Sequence, residues 1–217
     1  MEIPESAFHD ILQELERKPL EVNKYRNQSG TGRSQTWGLV NRRSLPVDYS
    51  RMCWIRPKLY YHLQEFARQY VDVSWNSITV NQNYQAAKHR DKGNEGESFL
   101  VAFGDYQGGC LTIHEGDLSG SHDIRHKPIK TDFSKIYHSV EPFTGNRYSL
   151  VFYKLKVNKM PTEPLPEGNA VFENGKYVFK RGDKIITDKE GLPHPLRNRK
   201  KKPVMQREHR EFIVTFD

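Results

Sequence analysis

The sequence predicts a mainly β protein of the α+β type, an antiparallel sandwich or jelly roll with helices flanking its N-terminal side. Beyond Trp75 the chain contains short runs rich in β-branched and aromatic residues, separated by Gly, Asn and Asp. No helical pattern intervenes between these runs, which favours direct antiparallel pairing over parallel strands with helical crossovers. The last run, YSLVFYKLKV, alternates near its end as a strand does. We expect strands at 77–84, 98–104, 110–114 and 148–155.

Two amphipathic patterns precede the strands. Residues 5–18 and 57–71 carry apolar side chains at helical spacing, and Pro57 stands at the start of the second pattern. The polar, glycine-bearing segment 26–36 lies between them and is interpreted as a connector loop, with an anion contact through Arg33 as the alternative. The apolar faces of both helices are expected to supply the core.

The composition changes beyond Met160. PTEPLPEG is typical of a linker, and VFENGKYVF predicts a hairpin in which Asn174-Gly175 forms a type I′ turn. PLRNRKKKP is a basic run, and EFIVTF is compatible with one more strand. We therefore divide the chain into a domain at 1–160, with a helical part at 1–74 and a jelly-roll core at 75–156, and a basic extension with a hairpin at 161–217.

The charge balance favours an anionic partner. Lys and Arg number 34 against 27 Asp and Glu, for a net charge of +7, and the pI is near 9.3. This favours nucleic acid, although a basic protein with a merely solvated surface has the same composition. Cys53 and Cys110 form no CxxC pair, as expected in a reducing compartment. With no apolar leader and no membrane-length run, we expect an intracellular protein without a membrane partner.

The residues with the clearest chemistry are His89 and Asp91. Residues two apart in an extended chain point to the same side, so one imidazole and one carboxylate can face a common point. Adding a third imidazole makes the two-histidine, one-carboxylate set that suits iron(II) and leaves positions open for co-substrate and oxygen. The later candidates for this third ligand are His114, His122, His126 and His138.

His138 is favoured because of an arginine–serine pair further along the chain. Nine residues on, Arg147 and Ser149 open a predicted strand and share one face of it. Together they offer a guanidinium fork and a hydroxyl to a carboxylate. An HxD pair alone occurs often by chance, and a β-sandwich that merely contains these residues is the simplest alternative. A zinc hydrolase would use the same ligands but gives no reason for the arginine–serine pair.

The compound pattern His89-x-Asp91, His138, Arg147-x-Ser149 resembles the 2-oxoglutarate- and iron(II)-dependent oxygenase superfamily over about residues 75–156. The resemblance implies a double-stranded β-helix, another name for this jelly roll. It implies iron(II) held by His89, Asp91 and His138, 2-oxoglutarate as co-substrate, O2, and ascorbate as an external reductant. Arg147 and Ser149 would bind the C5 carboxylate of 2-oxoglutarate. Asn81 is a further candidate contact, or simply a polar residue of an edge strand.

Within the superfamily, the stretch His89-Arg90-Asp91-Lys92-Gly93-Asn94 resembles the HxDxxN motif of the TET/JBP branch, which oxidises the 5-methyl group of pyrimidines in DNA. This implies DNA, favoured over RNA, as the partner and thymine or 5-methylcytosine as the substrate base. Asn94 would contact the flipped base or, alternatively, cap the turn. For stacking on that base the sequence offers Trp37, Trp54, Tyr106 and Phe143.

The chain lacks the cysteine-rich zinc-binding region of animal members and is closer in size to compact microbial or viral ones, which would act inside a host cell. The alternative function is hydroxylation of a prolyl or other protein side chain. Prolyl hydroxylases often bind the far carboxylate through lysine, so Arg147 counts modestly against this alternative.

Overall fold

The computed structural model describes residues 2–21 and 30–188. A 3-10 turn at Glu5–Phe8 leads into helix α1 (His9–Arg17), and α2 (Met52–Ile55) precedes α3 (Pro57–Tyr70). Both predicted helices are therefore confirmed. The basic run at 195–203 and the predicted strand at 211–216 lie outside the described residues. Within those residues, no helix is long and apolar enough to cross a membrane.

Fourteen strands are present in the described part of the chain. The long ones are β1 (Gly30–Val40), β3 (Ser77–Ala86), β4 (Asn94–Phe103) and β11 (Tyr148–Leu155). The short ones are β2 (Asp48–Tyr49), β5 (Tyr106–Gly108), β6 (Leu111–Ile113), β7 (Gly120–His122), β8 (Ile129–Thr131), β9 (His138–Val140) and β10 (Phe143–Gly145). A C-terminal group comprises β12 (Gly168–Glu173), β13 (Lys176–Arg181) and β14 (Lys184–Ile186).

The strands form a jelly roll whose major sheet has the order β2-β1-β3-β11-β4-β8. The opposite wall is built from the short antiparallel groups β7-β6-β9 and β10-β5. Strand β11 lies in the middle of the major sheet and pairs antiparallel with β3 and β4. Its residue Ser149 is opposite Asn81 on one side and Ala102 on the other. The predicted jelly-roll fold with N-terminal helices is confirmed.

The two faces of the major sheet have different chemistry. Leu150 and Phe152 are fully buried in the core beneath the helices. The alternate residues Ser149, Val151 and Tyr153 of the same strand line a cavity on the other face. This results from the two-residue period of a strand, which sends successive side chains to opposite sides of the sheet. One strand therefore contributes both to the core and to the cavity.

The connector predicted at 26–36 is wrong over its described part, because residues 30–36 belong to β1. This strand pairs with β3 along most of its length, and Ser34 is opposite Asn81. The prediction failed because this part of the strand is polar. Ser34 faces the cavity rather than the apolar core, so the usual hydrophobic signal of a strand is absent.

The hairpin after the proline-rich segment is confirmed. Asn174 and Gly175 both have positive φ angles, 51° and 76°, as a type I′ turn requires. The sheet β12-β13-β14 packs on the helical layer, and its Phe179 is buried in the same core cluster as α3. Residues 168–186 thus cover the helices on the side away from the cavity.

Candidate active site

The three predicted metal ligands lie where two distant segments meet. His89 follows β3, His138 begins β9, and the two residues form an isolated antiparallel bridge. Each backbone amide donates to the other residue's carbonyl over 2.9 Å. The amide of Asp91 donates to the carbonyl of Phe133 over 2.9 Å. Backbone hydrogen bonds therefore position the main chain from which all three side chains extend.

The ligand atoms of His89, Asp91 and His138 all lie within 4.8 Å of one another. The Nε2 atom of His89 is 3.4 Å from one Asp91 oxygen, and the Nε2 atom of His138 is 4.0 Å from the other. Adjacent ligands of one ion lie about 3 Å apart when the bonds to the ion are about 2.1 Å long. Small side-chain movements would bring this set onto a single ion.

Both imidazoles are oriented for metal binding through Nε2. The Nδ1 atom lies 2.7 Å from the Ala87 carbonyl oxygen in His89 and 3.2 Å from the Ile136 carbonyl oxygen in His138. Donation from Nδ1 to a carbonyl leaves Nε2 with its lone pair, which is the usual arrangement behind a metal-bound histidine. Burial lowers the pKa of His138, which favours the neutral, ligating form.

The other predicted histidines do not join this set. His114 is exposed and its Nε2 lies 2.9 Å from the Ser139 hydroxyl. The Nε2 of His122 lies 2.6 Å from the carbonyl of Leu118. The ring of His126 stacks on Phe8 with centroids 5.2 Å apart. Among the described residues, only His138 completes a cluster with His89 and Asp91.

Arg147 is a buried cation, and the described residues accept hydrogen bonds from only part of its guanidinium group. It is 2% exposed, and its Nε donates to the carbonyl of Gly109 over 3.1 Å. Its Nη2 atom is buried and makes no hydrogen bond among the described residues. The guanidinium carbon lies 5.4 Å from the Tyr106 ring centre and 5.7 Å from that of Phe143. Burial lowers the pKa of Arg147, yet a guanidinium stays charged, and within the described residues Arg147 forms no ion pair with a carboxylate.

Ser149 and Asn81 stand beside this cation on neighbouring strands. The Nδ2 atom of Asn81 donates to Ser149 Oγ over 3.1 Å. The hydroxyl hydrogen of Ser149 is then available for a second acceptor. Arg147, Ser149 and Asn81 all line one cavity. The donor set fits a carboxylate, which accepts from a guanidinium and a hydroxyl together.

The cavity joins the two parts of the site. It has a volume of about 310 Å³ and is lined by the three candidate metal ligands as well as by the carboxylate-binding group. That size lies at the lower end of the usual range for ligand pockets. Its apolar lining includes Leu100, Leu111, Phe133, Val140 and Val151. The predicted metal ligands and the predicted carboxylate-binding residues therefore line one cavity.

Asn94, predicted as a base contact or a turn cap, lies at the start of β4. Its backbone amide donates to the Asp91 carbonyl over 2.9 Å, so it does close the turn. Its side-chain Nδ2 donates to Asp91 Oδ2 over 3.4 Å and lies 3.3 Å from Ser98 Oγ. Asn94 also lines the cavity, so its carbonyl oxygen is the group left for a bound molecule.

The four aromatic residues that the sequence offers for stacking do not line the cavity. Trp37 is fully buried in the core, and Trp54 donates to Asp188 on the helical side. Neither they nor Tyr106 and Phe143 line the cavity. The aromatic residues that do line it are Tyr84, Phe133 and Tyr153. The sequence did hold a signal for Tyr153, because it comes after Ser149 and Val151 at the two-residue spacing of one strand face.

Comparison with known proteins places the fold. No family model and no curated protein matches the sequence. A 2OG-Fe(II) oxygenase-family oxidoreductase from Burkholderia pseudomallei matches at 15% identity and TM-score 0.50, over 72% of this chain and 82% of that one. NgTET1 in complex with 5mC DNA matches at 14% identity and TM-score 0.47, over 71% and 69% of the two chains.

A prolyl-4-hydroxylase from Pseudomonas putida matches at 16% identity and TM-score 0.44, over 71% of this chain and 89% of that one. Of these three proteins, the one from Burkholderia has the highest TM-score, so the comparison of folds rests on it. Together with the strand topology, it shows that this chain has the jelly-roll fold of the 2-oxoglutarate- and iron(II)-dependent oxygenases.

Proposed function

We propose that this protein is an iron(II)- and 2-oxoglutarate-dependent dioxygenase that hydroxylates the 5-methyl group of a pyrimidine, 5-methylcytosine or thymine, in DNA. The observation that carries the oxygenase part is the pairing, within one cavity, of a His-Asp-His cluster and a buried arginine with an open donor. The His-Asp-His cluster alone would not need the arginine, and a carboxylate beside Arg147 would accept from its open Nη2 donor.

His89, Asp91 and His138 would hold iron(II), which with 2-oxoglutarate and O2 supplies the oxidation of a C–H bond, leaving succinate and CO2. Arg147 and Ser149 would bind the far carboxylate of 2-oxoglutarate. Asn81 orients the Ser149 hydroxyl through their 3.1 Å hydrogen bond. The side chains of Phe133 and Leu111 belong to the apolar part of the same lining.

The choice of a DNA base rests on the HxDxxN pattern from His89 to Asn94 and on the net charge of +7. A methyl group within a duplex is out of reach of an enclosed cavity, so the nucleotide would flip out of the stack. The carbonyl oxygen of Asn94 offers an acceptor to the flipped base, such as the exocyclic amine of cytosine. Tyr84 and Tyr153 are the polar aromatic residues of the lining that such a base would meet.

The test is to incubate iron-loaded protein with 2-oxoglutarate, ascorbate and DNA containing both thymine and 5-methylcytosine, then to quantify nucleosides by mass spectrometry and succinate in parallel. The Asp91→Ala variant is the control. We expect a hydroxymethyl nucleoside that is absent from the control. Succinate without a modified nucleoside would retain the oxygenase and redirect the search to protein side chains. No succinate from protein shown to hold iron would overturn the proposal.

A further inference from the structure

Two basic segments meet at the mouth of the cavity. We propose that Lys88, Arg90, Lys92 and Lys156, here called the basic rim, bind DNA backbone phosphates next to the substrate nucleotide. This inference rests on the proposed function, since it takes DNA as the substrate. It adds the surface that would hold the strand, which the metal ligands and Arg147 do not provide.

The first segment alternates between metal ligands and cations. His89 and Asp91 face the metal position, and Lys88, Arg90 and Lys92 stand before, between and after them. Arg90 and Lys92 line the cavity, while Lys88 and Lys92 are exposed to solvent. The cations of this segment therefore stand at the border between the cavity and the surface.

Tyr137 holds two of these cations in place. The Arg90 guanidinium carbon lies 4.0 Å from the centre of its ring, and the Lys88 Nζ lies 5.3 Å from it. Glu115 ties the same group together, because its Oε1 accepts from Arg90 Nη2 over 3.0 Å and from the Tyr137 amide over 2.7 Å. Cations already held in position lose less conformational entropy when they bind a phosphate.

The second segment begins where β11 ends and lies beside the turn that follows Asp91. The amide of Lys156 donates to the carbonyl of Gly93 over 2.8 Å, and Gly93 lines the cavity. Leu155, the residue before Lys156, also lines it. Lys156 is exposed to solvent, and its backbone is joined to the turn after Asp91 that borders the cavity.

Among the described residues, Arg90 is the one rim cation that forms an ion pair with an acid, so the rim keeps an excess of positive charge. Glu115 pairs with Arg90, and Glu95 pairs with Lys154 rather than with a rim residue. Within the described ranges, Lys92 and Lys156 form no ion pair. On the helical side, by contrast, Lys58 pairs with Glu14. A nucleotide that leaves the stack carries backbone phosphates next to it, so cations at the edge of the cavity are placed to contact them.

The experiment is a titration of fluorescent DNA, single- and double-stranded, with iron- and 2-oxoglutarate-loaded protein under anaerobic conditions, by anisotropy at several salt concentrations. The variant is Lys92→Gln/Lys156→Gln. The matched control is Lys18→Gln/Lys176→Gln, which removes the same charge from exposed lysines of the helical layer and the sheet packed on it. Thermal unfolding verifies that both variants are folded.

We expect the rim variant to bind DNA about tenfold or more weakly at 0.15 M salt, and the slope of log K against log salt to fall by about two. The control should bind like the wild type. Equal binding by the rim variant, or an equal loss in the control, would overturn the inference. So would an acidic peptide of the same charge that competes as well as DNA.

Failure of the proposed function would look different. If no nucleoside is oxidised but salt-dependent binding is lost only in the rim variant, the role of the rim in DNA binding is supported and oxidation of a DNA base is contradicted. If nucleosides are oxidised and the rim variant binds DNA as tightly as the wild type, the role of the rim is contradicted and the proposed activity is supported.

Discussion

His89 and His138 are joined by two reciprocal backbone hydrogen bonds of 2.9 Å, and their ring centres lie 4.3 Å apart. The bridge connects the segment after β3 to the start of β9, two regions far apart in the sequence. Because the backbone and not only the side chains makes this connection, the metal position is formed by the fold itself. Such preorganisation limits the rearrangement needed when an ion binds.

The cluster predicts a sharp distinction between histidines. His138→Ala should lower iron(II) affinity by at least about 100-fold, since even the loss of a partner behind a ligand costs about 10- to 100-fold. His114→Ala, at an exposed position outside the cluster, should retain wild-type affinity. Iron content after anaerobic loading and desalting, measured by atomic spectroscopy, distinguishes the two variants. Equal retention by both would contradict the ligand assignment.

Arg147 should determine the affinity for 2-oxoglutarate. Arg147→Lys keeps a positive charge but loses the fork, so the KM for 2-oxoglutarate should rise about 10- to 100-fold, the value of a charged hydrogen bond of about 1.5–3 kcal/mol. Iron retention should be unchanged because Arg147 is at the other end of the cavity. Steady-state succinate formation is the measurement, with Arg68→Lys on α3 as the control. An unchanged KM would remove Arg147 from the co-substrate site.

Gly109 should matter because of the Arg147 side chain beside it. A Cβ at Gly109 would lie 2.9 Å from Arg147 Cδ and 3.0 Å from its Nε, and the φ angle of +71° is one that glycine favours. Gly109→Ala should therefore weaken 2-oxoglutarate binding as well as stability. Gly175→Ala has similar backbone strain, with φ of +76°, and no neighbouring atom within 4 Å.

The paired measurement is thermal unfolding together with the KM for 2-oxoglutarate. Both glycine variants should unfold at a lower temperature, because backbone strain should lower their free energy of unfolding by about 1–3 kcal/mol. Only Gly109→Ala should raise the KM. A matching KM in the two variants would show that displacement of Arg147 has no consequence for co-substrate binding.

Asn94 should affect the metal as well as any substrate. Its amide donates to Asp91 Oδ2 over 3.4 Å, so Asn94→Ala removes a group that orients a candidate ligand. We expect iron(II) affinity to fall about tenfold, in line with the loss of other groups that support ligands. Ser98→Ala, which removes only the second partner of that amide, should have a smaller effect. A raised KM for DNA with unchanged iron affinity would assign Asn94 to the base alone.

Cys53 should resist thiol reagents in the folded protein. It is fully buried, and burial raises its pKa to about 12. At pH 8.5 the reactive thiolate is therefore scarce, and iodoacetamide should label Cys53 only after unfolding, as read by peptide mass spectrometry. Because the raised pKa belongs to the folded state alone, stability should fall as the pH rises from about 9 towards 12. Native labelling at the rate of the unfolded chain would contradict this burial.

Local features of the fold were predictable because their causes are local. The alternation in YSLVFYKL separates Phe152 in the core from Ser149 in the cavity, and Asn174-Gly175 encodes its own turn. The strand β1 was not predictable in the same way. Its polar residues include Thr31 and Arg33, which are exposed to solvent, and Ser34, which lines the cavity, and that cavity exists only after three strands have paired.

The sequence by itself determined the succession of short strands that indicates a jelly roll. It also determined the shared face of His89 and Asp91 and the arginine–serine pair at the start of β11. Each of these features depends on residues within a few positions of one another. Only the tertiary structure decided that residues 30–36 form a strand, that Arg147 retains an open donor, and that Tyr84 and Phe133 line the cavity. The physical reason is strand register. Contacts between segments far apart in sequence depend on which residues lie opposite each other after pairing, and no local pattern specifies that choice.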